Sequence, residues 1–460
     1  MSLETHISGS EDKLIDSLSF AGRNTASYVT DRRSCSFQPQ SGGLFSPNGV
    51  RLMRFNLADQ SGWLVGDTVR LVMNIQNNTG TPLQPICDSP NGMIRRLRII
   101  ANGSAIIEDI EEYSRVSQMF SELLPSARRY NDICETWGAT AAAASLDVPF
   151  VADAIGATAT KTVVVHLLSS FLSNGKSIPL NMLPLVLEVE LDDMDRAFEG
   201  TGKNWVITRP RLVADVLTLD NSLQNSYAKF VLDGRSLPFM MHGLYSLKAT
   251  ITSPGLYTLP INRGFSRLST IYWTLWDGTG KETNRFFSPL NQEVEGTLVA
   301  VNDQTDLMEW SIQVGSDRYP QFDCTSHAES YSRLRNAQLI HQGSDSFSIS
   351  SNQYRSTKAI YAMNLEKCPG ASSHTGINTR SGSQLSLNFK NLGGPPQILL
   401  VSPFEAWLPF PAPVFESLYR VVVYRLSLFP LSGPNGPYSI PVSVFLFETT
   451  TFSFLFTIFF

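Results

Sequence analysis

The chain has 460 residues, 36 basic and 41 acidic, with a formal net charge of −5. That length accommodates two or three domains, each large enough for its own core, and 42% hydrophobic against 17% charged residues excludes global disorder. The slight acidity argues against a protein whose task is to coat DNA or RNA, and 31 glycines and 26 prolines scattered as turn punctuation exclude collagen-like and low-complexity chains.

Residues 1–46 are polar and rich in Ser, Gly, Arg and Asn, and read as an extended arm with no secretory signal. Beyond them the dominant pattern is period-two alternation. Val69, Leu71, Met73 and Ile75 share one face of a run whose other face carries Arg70, Asn74 and Gln76. Leu185, Leu187, Val189 and Leu191 oppose Glu188, Glu190 and Asp192 in the same way, and Leu385, Leu387 and Phe389 alternate with Ser386, Asn388 and Lys390. Successive side chains of a strand point to opposite faces, so each run buries one face and wets the other. Turn clusters at 77–81, 173–176, 200–204, 278–281 and 370–375 separate the runs, which predicts an all-β chain of antiparallel sandwiches.

One segment has helical spacing. Ile110, Tyr113, Val116, Phe120, Leu123 and Leu124 form a stripe, Glu108, Asp109, Glu111 and Glu112 are read as its acidic first turn, and Pro125 stops it. An internal repeat includes this helix. Leu97-Arg98-Ile99, Gly103-Ser104 and Glu111-Glu112-Tyr113-Ser114-Arg115-Val116 match Trp310-Ser311-Ile312, Gly315-Ser316 and Glu329-Ser330-Tyr331-Ser332-Arg333-Leu334, displaced by 212–218 residues. Two related β-domains in tandem are the economical reading. Their division is expected as an arm at 1–46, a first sandwich at 47–208, a bridging segment at 209–236, a second sandwich at 237–400 and an atypical tail at 401–460. That tail holds eight prolines and 15 aromatics but five charges. Its end, Ser439–Phe460, has the length of a membrane span but carries Glu448 and Thr449–Thr451 mid-run; an anchor, a packing segment and an unnatural end are its three readings.

Motifs of catalysis and ligand binding fall short. Gly175-Lys176-Ser177 comes closest to a phosphate loop, but position 170 is Ser and Ile178-Pro179 follows where a helix N-terminus is needed. Gly200-Thr201-Gly202-Lys203 and Gly278-Thr279-Gly280-Lys281 end in Asn204 and Glu282, so all three read as turns. Asp192-Asp193-Met194-Asp195 opens like a calcium loop, yet Ala197 stands where a ligand should be, and a solvated strand end is the better reading. The histidines His6, His166, His242, His327, His341 and His374 show no metal-binding spacing, and His166, in an apolar run, reads as a core residue. Cys35, Cys87, Cys134, Cys324 and Cys368 are dispersed and odd in number, as expected of reduced intracellular thiols, which leaves the sequons at Asn77 and Asn102 idle. Arg95-Arg96-Arg98 and Arg128-Arg129 read as solvated or interface charge. No catalytic, cofactor or metal residue is assigned.

Several stretches, in order, resemble double jelly-roll major capsid proteins of nucleocytoplasmic large DNA viruses and polinton-like viruses. They are Phe20-Ala21-Gly22-Arg23-Asn24-Thr25, Arg96–Ile100 with Ile107–Ile110, Ile178–Leu191, Leu232–Pro238, Trp310–Pro320 with Ala328–Tyr331, Thr375–Gly382 and Asn388–Gly393. The likeness covers about residues 15–395, and its length matches the polinton-like type best. It implies two tandem jelly-roll sandwiches with short inserted helices. It further implies homotrimeric, pseudo-hexagonal capsomers tiling an icosahedral DNA-virus shell, with neighbouring capsomers and minor capsid proteins as partners. The protein would be made and assembled inside the host cell, without enzymatic activity or sequence-specific nucleic-acid contact. Under the same likeness, the apolar Tyr272, Trp273 and Trp276 suit either a subunit interface or a core. The second jelly roll needs a closing strand after Gly394, for which Ile398–Val401 is the available run before Pro403. The atypical end suggests a host-integrated copy of such a gene, or one whose 3′ end is wrongly assigned. The alternative is a carbohydrate-binding, adhesin-type sandwich using Trp276-Asp277-Gly278 and Asn284.

Overall fold

The computed structural model describes residues 28–410 apart from 60–61, 140–151, 200–201, 234–236, 252–254, 277–286, 288–306, 339–346, 348, 357, 369–374, 381 and 393–396, together with 444–449 and 452–457. The first half contributes β1 (Val29–Phe37), β2 (Leu44–Phe45), β3 (Leu52–Leu57), β4 (Gly62–Val65), β5 (Arg70–Asn77), β6 (Ile94–Ala101) and β7 (Ala105–Glu111). Helices α1 (Tyr113–Glu122) and α2 (Ser126–Asp132) follow, then β8 (Thr160–His166), β9 (Ser177–Pro179), β10 (Leu185–Leu191), α3 (Met194–Ala197) and β11 (Trp205–Leu219). Helix α4 (Asn221–Leu232) leads into β12 (Leu237–Thr250), β13 (Gly255–Ile261), β14 (Thr270–Trp276), β15 (Glu309–Val314) and β16 (Asp317–Cys324). Helices α5 (His327–Ala337) and α6 (Ser351–Ser356) then precede β17 (Ile360–Asn364), β18 (Leu385–Leu392) and β19 (Gln397–Phe410), and the tail adds a hairpin of β20 (Val444–Thr449) and β21 (Phe452–Thr457).

Each half is a two-sheet antiparallel sandwich. In the second, the sheets are ordered β12-β19-β14-β17 and β13-β18-β15-β16. In the first they are β3-β10-β6-β7 and a larger sheet in which β11 lies between β1 with β2 on one side and β5 with β4 on the other, β8 pairing with β5 and β9 with β4. With β1/β2, β4/β5 and β8/β9 each counted as one interrupted strand, both halves have the order first–eighth–third–sixth facing second–seventh–fourth–fifth. That is a jelly roll, formed twice. The repeated sequence elements occupy equivalent places. Leu97–Ile99 and Trp310–Ile312 lie on the fourth strands, Gly103 and Gly315 turn with positive φ (77° and 61°) into the fifth, and the Tyr-Ser-Arg helices follow the fifth. The two turns need the left-handed backbone that glycine adopts without a Cβ penalty.

The alternation reads out as burial. Leu71, Met73 and Ile75 of β5 and Leu185, Leu187, Val189 and Leu191 of β10 are buried, with partly exposed residues between them, Asn74, Glu188 and Glu190 among these. Each such side chain contributes about 1.5–3 kcal/mol of transfer free energy. Both eighth strands run further than their prolines suggest. β11 passes through Arg209-Pro210, where the sequence reading places a boundary at 208/209. Arg209 has φ 50°, and the pairing with β5 shifts between Thr208 and Arg211. The bulge relieves Pro210 of a ladder hydrogen bond it cannot donate. Likewise β19 pairs with β14 only from Gln397 to Val401, while its partnership with β12 continues through Pro403 to Phe410. The expected closing run is therefore one part of a longer strand.

The helix start differs from expectation. Glu108, Asp109 and Glu111 belong to β7, where Glu108 and Ile110 face inward, and α1 begins after Glu112, whose backbone is left-handed (φ 50°, ψ 39°). Short overlapping strand and helix patterns share their apolar positions at such a junction, so spacing alone misplaces the boundary.

Candidate functional site: the junction between the sandwiches

Within the sheet β12-β19-β14-β17, strands β14 and β17 are buried on both faces. Ile271, Trp273, Leu275, Tyr361 and Met363 point into the second core. Their neighbours Tyr272, Ile360 and Ala362, with Phe239, Met241 and Leu244 of β12, join the core of the first sandwich. Period-two geometry does this: a strand between two apolar layers needs apolar residues at both phases. Across the junction Phe120 of α1 meets Tyr272 edge-on at 5.5 Å, and Phe171 meets Phe239 at 5.3 Å. The edge of β7 is covered as well, the Glu111 N–H donating to the Ser246 hydroxyl on β12 (3.0 Å).

Charges are buried here too. Glu122 Oε2 accepts from Arg129 Nη1 and from Lys358 Nζ, each at 2.7 Å, with all three side chains less than a tenth exposed. Arg129 also donates to Asp88. Burial raises the Asp88 carboxyl above the usual range despite the Arg129 charge; for Arg129 itself burial lowers, and Glu122 and Asp88 outweigh it. At the other end of α1, Glu112 accepts from Arg196 Nη1 (3.2 Å) and Lys248 Nζ (3.1 Å). Buried ions survive only when paired and hydrogen-bonded, which is how these are arranged.

The residues singled out in the sequence are dispersed. Asp192 is buried rather than solvated, accepting from the Ser114 hydroxyl (3.1 Å) and pairing with Arg196, while Asp193 pairs with Arg51 at 2.9 Å. Arg96 holds Asp109 through two hydrogen bonds (2.7 and 2.6 Å), and Arg98 bridges Asp109 and Glu188 across β6, β7 and β10. Arg128 is solvated as expected, but Arg129 is buried in the junction. His166 corrects the core expectation: it is exposed, because Val163 and Val165 hold the inward phase of β8. His327 is buried at the start of α5, and His242 lies on β12; His6, His341 and His374 fall outside the described residues.

Gly175 turns with φ 73° two residues before β9, so its backbone leads into a strand; Lys203 donates to the Asp195 carbonyl, and the 278–281 cluster is outside the described residues. None of the five cysteines is joined in a disulfide. The Asn77 side chain is buried, donating to the Thr81 and Gly156 carbonyls. Trp276 ends β14, with Asp277, Gly278 and Asn284 outside the described residues. Among the described residues no group of three or more His, Cys, Asp or Glu is placed to hold a metal ion, and no helix is long and apolar enough to cross a membrane.

Sequence reasoning missed Asp88, Glu112 as a bridging group, Glu122, Arg196, Lys248 and Lys358. The signal available was faint. Lys358 stands immediately before the wholly buried run Ala359–Ala362, and α1 buries polar Ser114, Arg115 and Gln118 alongside its apolar stripe.

This architecture has counterparts among solved structures. The chain is similar to the Faustovirus major capsid protein, with 8% identity and a TM-score of 0.59 over 87% of this chain and 93% of that one. It is similar to PBCV-1 VP54, a structure fitted into a reconstruction of the virophage Sputnik, with 13% identity and a TM-score of 0.54 over 85% and 97%. For the Sputnik virophage structure itself the values are 10%, 0.52, 91% and 96%. No protein-family model and no curated protein matches the sequence. At these identities the likeness is one of fold, and it agrees with the strand order: the chain is a double jelly roll.

Proposed function

We propose that this chain is a viral major capsid protein, the structural subunit of an icosahedral shell. Three copies associate through their flanks and loops, placing six sandwiches around one axis as a pseudo-hexagonal capsomer. The observation that carries the reading is the joining of two sandwiches of one strand order through a buried junction. A pseudo-sixfold ring needs two similar walls held at a fixed angle in each copy, and a continuous core across both supplies that stiffness.

In this reading the protein is a building block rather than a catalyst. Its buried carboxylates and cations hold one another, as in Glu122 with Arg129 and Lys358. It is made and assembled inside the host cell, contacts neighbouring capsomers and minor capsid proteins, and derives from a virus or from a capsid gene integrated in a host. Electron microscopy of the purified full chain tests this: three-copy particles of hexagonal outline are expected, and isolated two-lobed particles at all concentrations would contradict it.

A further inference from the structure

Helix α1 carries a glutamate at each end, and the two have the same kind of partners. At the start, Glu112 Oε2 accepts from Arg196 of the first sandwich while its Oε1 accepts from Lys248 of the second. At the finish, Glu122 Oε2 accepts from Arg129 of the first and Lys358 of the second. Ten residues of helix separate them, about 15 Å at 1.5 Å per residue. We infer that α1 is a two-point clamp, in which two Arg–Glu–Lys triads fix the rotation of the second sandwich against the first. One ionic contact would leave a swivel; two that far apart, with Phe120 against Tyr272 between them, define an orientation.

The backbone at Glu112 supports this assignment. A left-handed conformation is unfavourable for glutamate and is ordinarily given to Gly or Asn. Here it is retained where the carboxylate reaches both halves, one oxygen to each. The repeat supplies an internal contrast. The residue that matches Glu112 in the repeat is Ser330, inside the first turn of the second helix, which accepts from the buried Trp310 indole N–H (3.1 Å), and the adjacent Glu329 serves helix capping by accepting from the Thr325 N–H (3.0 Å). The first helix thus holds a neighbouring sandwich, whereas the start of the second is committed to its own.

The clamp is a statement about one chain and stands apart from the capsomer reading. Exposed Cys134 in the first sandwich and exposed Cys368 in the second suit donor and acceptor dyes on the full chain, with Cys35 and Cys87 replaced by serine. Single-molecule energy transfer is expected to show one narrow population. Replacing both Lys248→Gln and Lys358→Gln should broaden or split it, with near-ultraviolet circular dichroism unchanged, and Lys358→Arg should keep it narrow. The single Lys→Gln variants should each broaden it partly, which keeps the test available if the double variant does not fold. An unchanged narrow population in both single variants would overturn the clamp. A narrow population in a chain that never trimerises would leave the clamp standing and defeat the capsomer reading instead.

Discussion

The two sandwiches share a strand order but fill their interiors differently. The first is packed mainly by aliphatic side chains such as Leu71, Ile75, Val163 and Val189, and it buries paired charges around α1, Glu122 with Arg129 and Asp192 with Arg196. The second is aromatic at its centre: Trp273 stacks on Tyr361 at 4.0 Å and 7° and meets Trp310 and Phe389 edge-on. There the Trp273 Nε1 and the Tyr361 hydroxyl are buried without hydrogen-bond partners among the described residues. One topology thus tolerates two solutions to the core. Strand order is set by which faces must be covered, while the core needs only volume and the right phase. The junction is where the two solutions meet, and it takes apolar contact from the second half and charge pairing from α1.

The comparison breaks most sharply at Glu122. Glu122→Ala leaves Arg129 and Lys358 buried against each other, and should cost about 3–5 kcal/mol in urea denaturation. A loss below about 1 kcal/mol would mean the charges are not sealed from water. Trp273→Ala tests the aromatic half alone. Deleting the ring at the centre of three aromatic contacts should cost about 3–5 kcal/mol. A much smaller loss would show that the aromatic core can collapse into the space.

Acidity sharpens the difference further. Burial holds the Glu108 carboxyl above the usual range, although the Ser169 hydroxyl and Ser170 N–H donate to it; burial raises Asp192 in the same direction. Between the unfolded and folded values the native state keeps a proton that the unfolded chain releases. Their contribution is therefore fully present below the unfolded carboxylate range and lost as pH rises through the folded value. Glu108→Gln, which is neutral at every pH, keeps an acceptor for the Ser170 N–H and can donate to the Ser169 hydroxyl oxygen, should flatten that slope in melting curves taken from about pH 4 to about pH 8. Parallel slopes for variant and wild type would contradict the account. The smallest effect is expected at Tyr361→Phe. Its hydroxyl has no partner to lose among the described residues, so stability should change by less than about 1 kcal/mol or rise, and a loss above about 2 kcal/mol would reveal a partner.

Much of the fold was legible because alternation survives wherever one face is wet. β5, β10 and β18 follow the pattern read from their residues, and the repeat marks equivalent turns and helices in both halves. Legibility failed where a strand is buried on both faces or interrupted. Ile271–Leu275 and Ala359–Met363 show no alternation, since the junction covers their second face. Pro210 and Pro403 look like strand ends because their tolerance depends on a bulge or on an absent neighbour, neither of which is local. The junction charges were illegible for a related reason. Glu122 and Lys358 are 236 residues apart, and nothing near either one announces the other. His166 erred in the opposite direction: an apolar run suggested burial, and the phase of β8 decided against it.

The most direct test of the central claim is light scattering coupled to size exclusion on the full chain. The account predicts a stable species of three times the 50.9 kDa chain mass that persists on dilution to low micromolar concentration. A well-folded monomer throughout that range would contradict it.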